Sequence, residues 1–528
     1  MKSFYCIVGA VFTVATGVAA GTLGAGNTNI WPRADNVTAF SNFAKTLGLS
    51  DADIKTLGDK HAKATATELA CMTAQCSLGI TQVDTTPVNS TIVDENWYME
   101  SSSLAIIRLM FFDTGPRRVL NNLPASFCQP IRQVSFAVRS GGHSPNPGWS
   151  SIQNGILISM EKLTAITLSS DKSFASVGPG ARWGAVYTAL DPDKAVVIGG
   201  RLPQVGVAGL ILGGEFGLAA DNVKNFELVL SNGTVVDANA EQNSDLFWAL
   251  KGGGPNFGIV TRYDLYTVPV YEVWGQIMIY APSQALDVLK AFDEWQLDGA
   301  SDVKSSIALD ISLDSITIGL VYAEPADLPS VFAPFYNLPP LEIAVPNFNT
   351  TFSAVNAILG ASFPTTQARH DYRGCSSKIN TNLTQDVYKF WLPKAQALHN
   401  ATGANQTFAL QHIGSNLVQQ GIDKGGNALG LSVEDQQWWT TIVDWDSESD
   451  DDQVRAVSIE TTAQWKKLSE ERGLDIPFIY MNDASRDQDP IAQYGTDNIN
   501  KLKQVASKYD PKQVFQKLQN DGFLLSRI

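Results

Sequence analysis

Ala137-Val138-Arg139-Ser140-Gly141-Gly142-His143-Ser144-Pro145-Asn146-Pro147-Gly148-Trp149 is the stretch on which the reading of this 528-residue chain turns. An apolar, strand-like start runs into two adjacent glycines and a histidine. Glycine lets the backbone approach a bulky ligand and aims bare N–H groups at phosphate oxygens. A single turn of this kind is common in any β-rich protein. Here three more follow before residue 260: Val177-Gly178-Pro179-Gly180-Ala181-Arg182-Trp183, Val205-Gly206-Val207-Ala208-Gly209-Leu210-Ile211-Leu212-Gly213-Gly214, and Lys251-Gly252-Gly253-Gly254-Pro255-Asn256-Phe257-Gly258. Four such segments together point to a cofactor site.

What is missing narrows the cofactor. No G-x-G-x-x-G joins a strand to a helix and no G-x-x-x-x-G-K-[ST] occurs, which removes the usual support for a nicotinamide or a nucleoside triphosphate. Histidine is scarce, five in the whole chain, and no nucleophile elbow or Cys/His zinc spacing is present. A dinucleotide held by a different architecture remains.

The histidine loop resembles that of the berberine-bridge-enzyme-like FAD-linked oxidoreductases, fungal members above all, within the vanillyl-alcohol-oxidase and p-cresol-methylhydroxylase superfamily. Gly199-Gly200-Arg201-Leu202-Pro203-Gln204-Val205-Gly206, Asp245 through Gly254 with Asn256 through Arg262, Gln488-Asp489-Pro490-Ile491, Tyr509-Asp510-Pro511 and Val514-Phe515-Gln516 are similar to its other signatures, in family order. The resemblance implies an α+β, two-domain p-cresol-methylhydroxylase-type FAD-binding fold with an antiparallel-sheet substrate domain. It implies FAD contacts from Arg139, Ser140, Gly141, Gly142, His143, Gly200, Val205, Gly206, Gly209, Gly213, Gly214, Asn222, Gly258, Ile259 and Val260, with a covalent bond to His143. Many relatives add a cysteine tether directly before the Pro-x-Val-Gly step. Leu202 stands there, so a single tether is expected.

Periodicity supplies a coarse map. Ala39–Gln82 reads as helical and Thr85–Asn96 as extended, and short strands are expected at Ile156–Ser159, Ala195–Ile198 and Phe226–Leu230. After Pro269 the texture changes to an alternating strand, Trp274–Tyr280, and an amphipathic helix, Ala285–Leu297. The expected division is a signal peptide (1–20), an FAD-binding domain (85–270), a substrate domain (271–473) and a segment returning to the FAD domain (474–528). That last segment reads as a strand, Phe478–Asn482, and a helix, Asp497–Tyr509. Tyr480 and Asn482 would share one strand face and resemble the family strand beside the flavin, Tyr480 as general base. Two stretches depart from the family pattern: Gly214 passes quickly to Asp221-Asn222-Val223, and Ser103–Ile131 lacks a usual proline- and cysteine-bearing strand.

Composition sets the surroundings. A net charge of −15 without a basic cluster excludes nucleic acid. Glu448-Ser449-Asp450-Asp451-Asp452 lacks the glycine and closing glutamate of a calcium loop and reads as a helix start; no metal is expected. Lys2, the apolar Tyr5–Val18 and the small residues Val18-Ala19-Ala20 read as a secretory signal, too short for the roughly 20 residues of a membrane span. Sequons at Asn36, Asn89, Asn232, Asn349, Asn382, Asn400 and Asn405 fit a secreted, N-glycosylated protein, read as a monomer. Cys71, Cys76, Cys128 and Cys375 allow three pairings. The functional expectation is an oxidase that passes hydride from a small organic substrate to covalent FAD, with O2 as acceptor, in natural-product tailoring. The alternatives are a mono- or oligosaccharide oxidase, for which Trp391, Trp438, Trp439 and Trp445 would be platforms, and a non-catalytic protein that keeps the fold.

Overall fold

The computed structural model describes residues 83–84, 97–100, 135–152, 155–213, 218–361 and 368–528. The expectations for Ala39–Gln82, Thr85–Asn96 and Ser103–Ile131, the signal segment, Gly214, and Cys71, Cys76 and Cys128 lie outside them. Cys375 is a free thiol.

Three sheets carry the architecture. In the first, Val83–Asp84, Trp97–Glu100, Ile156–Ser159 and Phe136–Arg139 lie side by side, the last three parallel. Ile156–Ser159, flanked on both sides, is buried along its whole length, as an inner strand of a parallel sheet must be. The second sheet is antiparallel, in the order Ile166–Leu168, Phe174–Val177, Ile259–Val268, Val223–Val229, Val235–Asn239, with Val196–Val197 also on Ile259–Val268. Trp183, Val186, Tyr187 and Leu190 form the inward stripe of the helix Trp183–Leu190 and join Phe226, Phe257 and Tyr263 in one core.

The third sheet has nine antiparallel strands: eight in order, from Glu342–Thr351 through Glu272–Tyr280, Ile316–Tyr322, Ser305–Ile311, Phe408–Ile413, Gln436–Trp445 and Arg369–Lys378 to Asp475–Ile476, and Asn405–Gln406, which also pairs with Gln436–Trp445. Helices Ala285–Leu297, Thr381–Thr402 and Asp451–Glu471 supply Phe292, Trp391 and Trp465 to a second core that also holds Leu309, Ile318, Phe408 and Trp439 from the strands. Period-two alternation then sends alternate residues to the opposite sheet face. Asp371 and Arg373 face the helix Asp451–Glu471, bonding Arg455 at 3.0 Å and Thr462 at 3.0 Å; His370, Tyr372 and Gly374 face away from it. The helix Ala285–Leu297 has the predicted bounds. The acidic run starts a helix as expected: Asp451 is its first residue and takes both guanidinium nitrogens of Arg369.

The tail knits the two cores together. Phe478, Tyr480, Tyr494 and Phe523 enter the first core, as do Ile413, Leu429 and Trp438 from within the 271–473 span. Phe136 N–H donates to Leu518 O, and Asn520 N–H to Phe136 O. The signature residues serve this latch: Tyr509 donates to Asp245, Asp510 accepts from Val514 and Phe515 N–H, and Gln516 donates to Asn256. The helix occupies Thr496–Tyr509. The expected strand Phe478–Asn482 is absent. Only Asp475–Ile476 pairs as a strand, and Met481–Asp483 is a 3-10 turn. Phe478 and Tyr480 alternate because both lie against Trp438, at 5.0 and 4.9 Å, not because a neighbouring strand binds their backbone.

One polar cluster is sealed inside the second core. Gln296 Nε2 donates to Asp293 Oδ1 (2.9 Å) and Gln437 Oε1 (3.1 Å), while Gln296 Oε1 meets His412 Nδ1 at 3.3 Å. Burial pushes the Asp293 carboxyl from 3.8 up to about 7 and the His412 imidazole from 6.5 down to about 4. Between pH 3.8 and 7 the folded chain holds a proton on Asp293 that the unfolded chain has released, so stability falls as pH rises. Between pH 4 and 6.5 the unfolded chain holds the extra proton on His412, so stability rises with pH. The two offset each other in the shared window. Asp293→Asn removes the first effect, so urea unfolding of the variant should show stability climbing by up to about 3 kcal/mol between pH 4 and 6.5. A profile no steeper than wild type would show that Asp293 is not protonated in the fold.

Candidate active site

The tether loop is built by backbone crowding. Phe136–Arg139 delivers the chain to Ser140, whose hydroxyl donates to Pro179 O at 2.6 Å. Gly141 lies directly on Gly206: a Cβ on either would fall 2.6 Å or less from a backbone nitrogen of the other. Gly142 has φ +71°, a left-handed conformation that glycine adopts without cost. Arg182 locks the two segments, bonding Gly141 O (3.2 Å) and Gln204 O. Val207–Gly213 follows as a short helix.

These elements wall a cavity of about 350 Å³. Ser140 through His143, Gly200, Val205, Gly206, Gly209 and Gly258 through Val260 all line it, so most of the expected cofactor residues converge. Arg139 and Asn222 do not. Arg139 packs beneath Gly142; Gly213 is the last residue of its helix, and Gly214 falls outside the described residues. Asn222 is buried away from the cavity, accepting from Lys424 Nζ at 2.8 Å beside Asp221, which takes Asn427 Nδ2 and the buried Lys251. These bonds tie the turn at residues 219–222 to the segment at residues 424–427, both packed on the first core, away from the cavity lining. Leu202 does line the cavity, with no thiol to offer.

The wall fits a flavin nucleotide. It is largely apolar, with Val138, Trp149, Met160 and Phe523, yet the buried Asn146 Oδ1 and Tyr263 hydroxyl on it have no hydrogen-bond partner in the protein. Each such atom costs about 1–3 kcal/mol unless a ligand satisfies it. His143 is the imidazole at hand. Burial first, then the positive charges of His370 and Arg182, hold its pKa below the ordinary 6.5, which keeps the ring neutral and nucleophilic near neutrality.

The sequence missed most of the far wall. Asn482 lines it as expected, from the 3-10 turn, but Tyr372 and Ile442 come from the nine-stranded sheet, and Met481 and Asp483 from that same turn; nothing in the local pattern marks these four, because long-range topology alone brings them in. Tyr372 lies 6.4 Å from His143, ring to ring. Burial, helped by Asp483 and Asp444, raises its pKa far above the usual phenol value. Asn482 is on the wall, donating to Tyr480 OH at 2.7 Å and to Leu210 O at 3.2 Å. Tyr480 itself is 3% exposed, stacked on Trp438, and does not line the cavity. Trp391, Trp438, Trp439 and Trp445 are all buried in the cores, and none reaches the cavity, so the expected sugar platforms are not there. Among the described residues no cluster of His, Cys, Asp and Glu could hold a metal, and no helix is long and apolar enough to cross a membrane.

Comparison with known proteins bears on this geometry. A family described as an FAD binding domain matches residues 129–239. An FAD-dependent monooxygenase of Arthrobotrys oligospora is 39% identical over 403 residues, 75% of this chain and 78% of the relative. The bifunctional solanapyrone synthase of Alternaria solani is 30% identical over 402 residues, 74% of this chain and 77% of that protein. The glucooligosaccharide oxidase of Acremonium strictum, with its 6-S-cysteinyl, 8α-N1-histidyl FAD, superposes with a TM-score of 0.67 at 18% identity, covering 85% of this chain and 99% of that one. By sequence and by the residues around its cavity, the chain belongs to the family of FAD-dependent oxidoreductases that includes the fungal FAD-dependent monooxygenases, and it shares the fold of the glucooligosaccharide oxidase.

Proposed function

We propose that the chain is a secreted oxidase of natural-product tailoring, with FAD tethered through His143 alone and O2 as the electron acceptor. The observation that carries this reading is the position of His143. It lines the cavity on a loop fixed by Gly141, Gly206 and Arg182, neutral at neutral pH, while Leu202 offers no second tether. The flavin supplies a two-electron hydride acceptor when bound. The protein's part is to exclude water with an apolar wall and to orient a small substrate beneath Tyr372 and Ile442. Solanapyrone synthase and the fungal monooxygenases favour a tailoring substrate over a sugar, as does a cavity without tryptophan platforms other than Trp149.

Secretion is supported by the signal-like start and by the sequons. Asn232, Asn349, Asn382, Asn400 and Asn405 are all exposed, while Asn36 and Asn89 lie outside the described residues. Glycosidase treatment of protein from a eukaryotic host should lower its apparent mass, and a mass unchanged by the enzyme would remove this support.

Acid precipitation of the yellow protein should leave flavin in the pellet, and His143→Ala should release it to the supernatant. If wild type releases flavin as readily as the variant, the tether is elsewhere or absent. On a substrate panel, peroxide should appear with apolar secondary and benzylic alcohols and not with xylo- or gluco-oligosaccharides; the reverse pattern would favour the sugar reading.

A further inference from the structure

We propose that Arg201 and Asp310 determine substrate specificity by holding one end of a neutral substrate in which an N–H or O–H donor adjoins a carbonyl, as in a lactam or a hydroxy-carbonyl. This rests on the flavin-oxidase reading above, which gives the glycine wall to the cofactor and leaves the sheet side to the substrate. Neither residue takes part in the oxidation. They anchor the end of the molecule that does not react.

The sheet face that offers Tyr372 and Ile442 to the cavity continues past them. Leu309 and Ile311 point into the second core, so Asp310 points to the opposite face, the one that carries Ile442. Strand register sets Gly374, Thr440, Ala409, Asp310 and Thr317 in one transverse row, beside the row that pairs Tyr372 with Ile442. Three strand spacings separate Gly374 from Asp310, about 14 Å. Apart from Asp310 the side chains of this row are small, a floor on which a flat or extended molecule can lie. The Thr440 side chain points to a ligand independently: the residue is 5% exposed and its hydroxyl has no partner in the protein. Such a group costs about 1–3 kcal/mol until something bonds it.

Two opposite charges mark the end of the row. Asp310 is exposed on an inner strand, between Ile316–Tyr322 and Phe408–Ile413, so protein does not cover the sheet there. Burial nevertheless raises its carboxyl above the ordinary 3.8, although the charge of Arg201 and a hydrogen bond from Thr407 pull the other way. An exposed acid that is still short of water stands in a cleft. Thr407 ties that cleft to the cavity, since its hydroxyl accepts from Ile442 N–H at 3.1 Å. Arg201 comes from the opposite side and lines the cavity between Gly200 and Leu202. The helix Phe352–Ala361 fixes its turn: the buried Asn356 donates to Arg201 O at 2.7 Å, Gln204 donates to Gly360 O at 3.0 Å, and a Cβ on Gly360 would overlap Pro203. A cationic ligand end is repelled by Arg201 and an anionic one by Asp310. A neutral end with a donor beside a carbonyl suits both, giving its hydrogen to the carboxylate and taking one from the guanidinium.

Calorimetry on the purified full-length protein separates the two contacts. The probes are 2-pyridone, a flat lactam with N–H beside C=O, and N-methyl-2-pyridone, which keeps only the carbonyl. Wild type should bind 2-pyridone at least about tenfold more tightly, the worth of a hydrogen bond to a charged group. Asp310→Ala, an exposed change to a small residue, should bring 2-pyridone down to the level of the N-methyl compound and leave the latter unmoved. Arg201→Gln should weaken both by about tenfold. A fold defect would instead lower both probes together in Asp310→Ala, and Asp310→Glu, which restores the carboxylate, should recover the preference. Equal wild-type affinities for the two pyridones, a preference that survives Asp310→Ala, or benzoate bound more tightly than 2-pyridone would overturn the proposal. Wild type purified without flavin would sink the oxidase reading instead, and the pyridone comparison, which needs no turnover, would still decide this one.

Discussion

Everything about the site depends on one contact between two backbones, Gly141 on Gly206. Their separation leaves no room for a Cβ on either residue, and it sets where the histidine loop meets the turn before the helix Val207–Gly213. Arg182 bridges the same two segments through their carbonyls. His143 inherits its position from this junction, and its neutrality follows from the burial that the junction enforces. A ligand can then be gripped by main chain on one side and by an imidazole on the other.

The second constraint is a charged network between the large sheet and the tail. Arg455 binds Asp371 and Asp487, Arg373 binds Asp487 as well, and Ser485 donates to the buried Asp371. Gln488 closes the seam by accepting from Gly374 N–H and donating to Gly374 O. Asp371 is the buried member, so removing Arg455 would leave its carboxylate short of its charged partner, which costs more than the pair is worth. The network fixes the height of the strand bearing Tyr372 above the turn bearing Asp483.

Much of this was legible in the residues and some was not, for identifiable reasons. The glycine segments announced the near wall because a close backbone approach needs glycine at those positions. The helix Ala285–Leu297 was readable from its stripe. The Phe478–Asn482 strand failed because alternation of Phe478 and Tyr480 reflects aromatic packing on Trp438, which mimics a strand's period without its hydrogen bonds. The four tryptophans misled because indoles fill cores as readily as they floor sugar sites. Tyr372 and Asp483 carried no local signal at all, since only the docking of the Met481–Asp483 turn against the nine-stranded sheet brings them together.

The floor of the cavity includes Gln519, Asp521, Gly522 and Phe523, and Phe523 meets Trp149 edge to face at 4.4 Å. Trp149 sits just beyond the histidine loop, whereas Phe523 is among the last parts of the wall to emerge during synthesis. The pocket therefore cannot be complete on a nascent chain that still holds those residues in the ribosome. A finished place for a ligand thus depends on the docking of the tail.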